Sequence, residues 1–297
     1  ELIIVNDGSS DDSAQIIRQF HDPRIRAYNQ ENQGLAATLN RAIHLAKGEY
    51  LARQDQDDLS LPHRLEKQVE FLRIHPHCGM TGTWAEIWSE NEGVPKIHNH
   101  PSESRVLKFE ILFDNPFVHS YMMIRKDVFD RVGLYSTDKS RQPPEDYELW
   151  SRVAREFEVA NIPEVLHIYR DAPRSMSKGT VNPFLDNVIK ISIENLAWVT
   201  GRDKFDPTIN DLAALSHGAY HKVSGKPTLR ELSSILFEAA DKLSDACNSP
   251  PSALREGAQL RFNDVRHHYL QHTQGSGFGS RVMRLARALK RVASEWK

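Results

Sequence analysis

The chain has 297 residues, 38 Lys plus Arg against 40 Asp plus Glu, a formal net charge of -2 and two cysteines. That length allows one large or two ordinary domains, and 39% apolar with 26% charged residues excludes a disordered, collagenous or disulfide-stapled chain. The charge balance excludes a surface built to grip nucleic acid, the lone Cys78 and Cys247 fit a reducing, cytoplasmic setting, and no apolar run reaches the roughly 20 residues of a membrane span.

In chain order, residues 1–5 read as a buried strand, closed by the turn Asn6-Asp7-Gly8-Ser9-Ser10. Residues 13–20 read as a helix with Ile16, Ile17 and Phe20 on its apolar side, and 24–28 as a second short strand. Leu35, Leu39, Ala42, Ile43 and Ala46 recur at helical spacing over 35–46, and Gly48 stands where a helix stop belongs. Residues 50–53 form a third strand candidate that ends in an Asp-rich turn. A helix over 64–74 follows, with Leu65, Val69 and Leu72 on one face. Such alternation predicts an α/β domain with a parallel or mixed sheet and helices on both faces.

The composition then changes. Residues 171–183 are rich in Pro, Ser, Gly and Asn and read as a linker; beyond them only helical patterns follow, over 184–199, 209–223, 229–247, 253–272 and 281–296. The part before this linker is net acidic and the part after it net basic. Two domains are therefore expected, 1–178 α/β and 179–297 helical.

In open α/β sheets, ligands sit at the carboxyl ends of strands. Two acidic turns occupy such ends, Asp7-Gly8-Ser9-Ser10 and Asp55-Gln56-Asp57-Asp58. A third acidic pair, Glu145-Asp146, follows Pro143-Pro144 and opens a helical pattern, where the helix dipole favours a charged carboxylate. Singly, each has an ordinary reading: a tight turn and N-cap, a solvated turn, a favourable helix start. The second turn is a poor EF-hand, since Leu59 and Ser60 replace a ligand and the needed glycine. With no Walker A or GxGxxG sequence, P-loop and dinucleotide-binding readings lose their support.

Taken together the motifs are far more specific. The order Asn6-Asp7-Gly8-Ser9-Ser10-Asp11, Asn32-Gln33-Gly34, Gly48-Glu49-Tyr50, Asp55-Gln56-Asp57-Asp58 and Glu145-Asp146-Tyr147-Glu148-Leu149-Trp150 resembles glycosyltransferase family 2 over roughly residues 1–178. Asn115-Pro116-Phe117-Val118-His119-Ser120 and the run from Ile162 to Arg170 add to the match. The resemblance implies a GT-A (Rossmann-like) fold, a nucleotide-diphosphate sugar donor (UDP-, GDP- or dTDP-linked), Mg²⁺ or Mn²⁺, and inverting transfer to a glycan or lipid-linked acceptor.

By the same resemblance Asp7, with Gly8, Ser9, Asn32 and Gly34, would hold the nucleobase end of the donor. Asp55 would sit near ribose and metal, Asp57 would ligate the metal, and His119 and Arg170 would line the donor site. Asp146 would be the general base with Glu145 beside it. Hard cations want oxygen ligands, which the aspartates supply. With the pKa of a surface Asp, near 3.9, Asp146 is expected to take its proton only late in attack. The family's first strand and helix would precede Glu1, so the resemblance implies a GT-A domain truncated at its start, with weakened donor binding. Two rival readings are an inactive nucleotide-binding scaffold and a sugar nucleotidyltransferase; the latter lacks a Gly-rich phosphate loop here.

Fourteen histidines invite a metal reading, but neither His268 and His272 nor His98 and His100 have a third ligand at zinc-like spacing. In residues 281–296 an apolar stripe (Val282, Leu285, Leu289, Val292, Trp296) is flanked by five Arg or Lys. It reads equally as a peripheral membrane contact or as a helix docked on its own domain.

Overall fold

The computed structural model describes residues 1–89, 95–171, 184–247, 249–250 and 252–274. Most of the expected linker and the basic segment 281–296 lie outside the described residues. The chain forms two compact units, Glu1–Val188 and Ile189–Lys297.

The first unit begins with β1 (Leu2–Asp7), α1 (Ser13–Ile17), β2 (Ile25–Gln30) and α2 (Leu35–Leu45). β1 and β2 pair in parallel, Leu2 opposite Ile25 through Asp7 opposite Gln30, and form a two-stranded sheet of their own. α1 is shorter than its pattern, ending at Ile17, and Ile16 and Phe20 are exposed.

There follow β3 (Tyr50–Ala52), β4 (Leu59–Ser60), α3 (Arg64–Ile74), β5 (Cys78–Ser89), β6 (Lys96–His98), α4 (Ser104–Glu110), β7 (Met123–Arg125), α5 (Val128–Val132), α6 (Glu145–Glu156) and β8 (Glu158–Asp171). They build a mixed sheet of order β3-β7-β5-β8-β4, with β6 added to β5. The two long strands, β5 and β8, run parallel from Cys78 opposite Glu158 to Ser89 opposite Asp171, with register shifts near Thr83 and Trp84. β7 covers the start of the other edge of β5 and β6 its end. Tyr121, Tyr147, Trp150, Phe109 and Phe113 are fully buried, each such side chain contributing about 1.5–3 kcal/mol.

α3 has the expected span, and Leu72 and Val69 of its expected face reach the core, but Arg64 and Gln68 are buried as well, whereas Leu65 is exposed. The reason is hydrogen bonding. Gln68 Nε2 donates to the carbonyls of Thr81 and Tyr121, and Arg64 donates to those of Ser120 and Arg53, so polar side chains satisfy backbone that would otherwise be orphaned.

The helical unit contains most of α7 (Phe184–Thr200), then α8 (Pro207–Ser216), α9 (Leu229–Ala246) and α10 (Ser252–Gln274). The helix expected over 209–223 stops at Ser216, where Gly218 takes φ 63, and only a 3-10 turn at Tyr220–Lys222 follows. Thr228 and Glu231 close a capping box on α9. His268 bonds the Leu215 carbonyl at 2.6 Å and Tyr220 packs against His268 and His272, so this pair is interhelical. Among the described residues no helix is long and apolar enough to cross a membrane.

Candidate active site

The site draws on three loops at strand ends, the segment between α4 and β7, and the start of α6. At the end of β1, the Asp7 carboxylate accepts from Gln30 Nε2 at 2.7 Å, from Gln33 N at 2.9 Å and from Gly34 N at 2.9 Å. Partial burial works to raise its pKa, but these bonds outweigh burial and hold it below the usual value. Asp7 thus fastens the Asn32-Gln33-Gly34 turn to β1. Asn6 Oδ1 accepts from Ser9 N at 3.0 Å, which closes the turn after the strand.

Gly8 is required where it stands. Its φ is 76, and a Cβ there would meet Asn32 N at 2.9 Å. Gly8→Ala is expected to cost about 1–2 kcal/mol and to push the two turns apart. Chemical denaturation of the variant, beside its nucleotide affinity, checks this; an unchanged midpoint would contradict the packing of Gly8 on Asn32.

The acidic turn joins β3 to β4, and one carboxylate oxygen each from Asp55, Asp57 and Asp58 lie within 4.8 Å of one another. Their surroundings differ sharply. Asp58 is buried and both its oxygens are spent, Oδ2 on His167 Nε2 at 3.2 Å and Oδ1 on Arg170 N at 2.9 Å. Burial raises its pKa, yet the bonds to His167, Ser120 and Arg170 win and the value is lowered. Asp55 pairs with Arg53 Nη2 at 2.5 Å, and Asp57 is exposed. The oxygen-only set Asp55 and Asp57 therefore fits a hard divalent cation, while Asp58 anchors the loop to β8. The exposed Arg170 is brought to this loop through its backbone amide.

α6 begins directly after Pro144, which leaves Glu145 and Asp146 in the first turn as expected. Asn115 Oδ1 accepts from Phe117 N at 3.1 Å, which turns its Nδ2 to Asp146 Oδ2 at 2.8 Å. Asp146 is not the surface-like carboxylate that the sequence implied. Burial, and then repulsion from Glu145, push its pKa up to about 6 against the pull of Arg53 and of hydrogen bonds from Tyr147 and Asn115.

His119, in the 3-10 turn His119–Tyr121, lies with this pair: Nδ1 is 3.8 Å from Glu145 Oε1, and Nε2 bonds the Tyr135 hydroxyl at 2.8 Å. Burial, reinforced by Arg53, holds its pKa well below the ordinary value, so the ring is neutral. Tyr135 is fixed from β1's side of the unit, since Asn40 on α2 exchanges two hydrogen bonds with its backbone at 2.9 and 3.0 Å.

Structure therefore gathers two groups, Asp7 with Gly8, Ser9, Asn32 and Gly34, and Asp146 with Glu145 and His119. Arg53, Asn115, Tyr135 and His167 were missed as site residues. Asn115 and His119 share one motif, and that proximity was the only available signal for Asn115.

Residues 1–133 match the family described as Glycosyl transferase family 2. The chain is 33% identical over 198 residues, 64% of this chain and 69% of the relative, to the putative glycosyltransferase EpsE of Bacillus subtilis. It is 31% identical over 185 residues, 61% of this chain and 71% of the relative, to the O-antigen biosynthesis glycosyltransferase WbnJ of Escherichia coli. The fold is that of S. aureus TarS 1-349, solved in complex with UDP-GlcNAc, with TM-score 0.58 at 16% identity over 94% of this chain and 84% of that one. The motif order, the GT-A architecture and these relatives agree, and the chain belongs to glycosyl transferase family 2 as a glycosyltransferase.

Proposed function

We propose that the protein transfers a sugar from a nucleotide-diphosphate donor (UDP-, GDP- or dTDP-linked) to an acceptor hydroxyl with inversion, in the making of a surface glycan or lipid-linked glycan. The observation that carries this reading is Asp146, a carboxylate raised toward neutral pKa at a helix start, with Arg53 acting electrostatically on it and ion-paired to the acidic loop. The relatives named for O-antigen biosynthesis and for amylovoran biosynthesis in Erwinia amylovora support a glycan product. A cytoplasmic setting is the matching proposal for such a donor.

In this reading the turn pair around Asp7, Gly8 and Asn32 receives the nucleobase. Asp57 and Asp55 would hold Mg²⁺ or Mn²⁺, which supplies charge neutralisation at the diphosphate. Asp146 takes the acceptor hydroxyl's proton as its oxygen bonds to the anomeric carbon. The bond from that carbon to the phosphate oxygen breaks in the same displacement, and the nucleoside diphosphate leaves with the bonding electrons. One base suffices, and no covalent enzyme intermediate forms. A base near pKa 6 accepts the proton more readily than an ordinary Asp does. Glu145 and neutral His119 orient the acceptor side, and the rest of the rate comes from holding the two reactants in line.

Calorimetric titration of UDP, GDP and dTDP, with and without Mn²⁺, tests the donor site on wild type and Asp57→Ala. The expected result is metal-dependent binding of one nucleotide, lost in the variant. Absence of binding for all three in the wild type would overturn the donor reading.

A further inference from the structure

We propose that Arg53 is a further catalytic residue, a fixed cation whose unbonded N–H groups bind the leaving diphosphate of the donor. The inference rests on the glycosyltransferase reading above and assigns a role to a residue that no motif singled out.

Arg53 follows β3 immediately. Its amide donates to Met122 O at 2.9 Å, and its own carbonyl accepts from the buried Arg64 at 3.1 Å. The backbone is thus held from both sides. The side chain is only 10% exposed, and one nitrogen, Nη2, pairs with Asp55. Nε and Nη1 are closed to water and have no hydrogen-bond partner among the described residues. Arg53 leaves two nitrogens in that state. Each such unmet donor costs about 1–3 kcal/mol, a deficit that an arriving oxygen anion removes.

Position decides which anion. Arg53 is tied to the acidic loop through Asp55, and its charge acts on Asp146, His119 and Tyr135. The ion pair links it to the proposed metal loop, and its charge is felt at the proposed base. The anomeric carbon must lie between those two, so a cation linked to both suits the phosphate oxygen that gains charge as the bond breaks. A guanidinium can donate but never accept, and cannot be deprotonated in the working pH range. It therefore suits an oxygen that becomes more negative, and does not suit the acceptor hydroxyl, whose proton needs a base. The neighbouring acidic side chains, Asp55, Glu145 and Asp146, would repel a diphosphate; a cation fixed among them offsets that repulsion.

The test compares a nucleoside, its monophosphate and its diphosphate (uridine, UMP and UDP, or the guanosine or thymidine series if that base binds) by calorimetry. Wild type, Arg53→Gln and Arg53→Lys are each measured with saturating Mn²⁺ and again in EDTA. In wild type the affinity should rise from nucleoside to diphosphate even in EDTA. In Arg53→Gln that rise should shrink by about tenfold to a hundredfold in affinity while nucleoside binding is unchanged. Its kcat should fall by about a hundredfold with little change in acceptor KM.

A merely structural Arg53 would weaken nucleoside and diphosphate binding together, and that result would overturn the proposal. Should the Gln variant not fold, Arg53→Lys decides the matter. It keeps the charge beside Asp55 but lacks the planar fork, and an undiminished diphosphate increment there would also overturn the proposal. Wild type that binds no nucleoside diphosphate would instead refute the donor reading on which this one stands.

Discussion

Asp146→Asn is expected to lower turnover by about 10²–10⁴-fold while nucleotide affinity is kept. Asn can still accept the hydrogen bond that Asn115 gives Asp146 at 2.8 Å, so geometry survives and only proton acceptance is lost. In the wild type, turnover should rise with pH through about 6 as Asp146 loses its proton. Burial and then Glu145 raise this value, and Tyr147, Arg53 and Asn115 lower it.

Stability should move the opposite way. The folded pKa lies above the ordinary Asp value of 3.8, so the contribution of Asp146 is fully present below about pH 4 and lost as pH rises to about 6. The melting-temperature advantage of Asp146→Asn should accordingly grow between pH 4 and 6 and stay level above. Turnover within a few-fold of wild type would sink the general-base assignment.

The adjacent aspartates Asp57 and Asp58 should separate function from stability. Asp58→Ala strips a partner from the fully buried His167 and from the Arg170 amide, with an expected loss of about 3 kcal/mol. Asp57 is exposed, and Asp57→Ala should leave the unfolding free energy within about 0.5 kcal/mol of wild type while abolishing Mn²⁺-dependent nucleotide binding. Denaturant unfolding and calorimetry on both variants read the two effects. Equal destabilisation by the two substitutions would contradict the division between ligand and anchor.

Local pattern carried much of the first unit. α3 spans the residues that its periodicity marks, and the acidic turns stand at the strand ends where the alternation put them. What local pattern missed depends on distant partners. The burial of Asp58 turns on His167, 109 positions away, and the placement of Tyr135 on Asn40, 95 positions away. The polar half of the inward face of α3 escaped the pattern for a related reason. Arg64 and Gln68 are buried to satisfy carbonyls of other loops, and a hydropathy stripe cannot register a carbonyl. Arg53 belongs to the same class, since its importance lies in bonds it does not make. Asp146 looked like an ordinary carboxylate because its desolvation comes from tertiary packing, whereas its neighbour Glu145 is legible in the chain itself.

The separate pairing of β1 with β2 has a consequence for local opening. No backbone ladder joins that pair to the six-stranded sheet among the described residues. The two parts are stitched instead by side chains, notably Asn40 on the Tyr135 backbone and Lys126 on the Ala46 carbonyl. Amides of β1 and β2 should therefore exchange with deuterium as one cooperative group, ahead of β5 and β8, whose parallel ladder is the longest among the described residues. The turn proposed to receive the nucleobase hangs on the faster-opening part and the proposed base lies outside it, so a bound donor would clamp together two regions that breathe on different clocks.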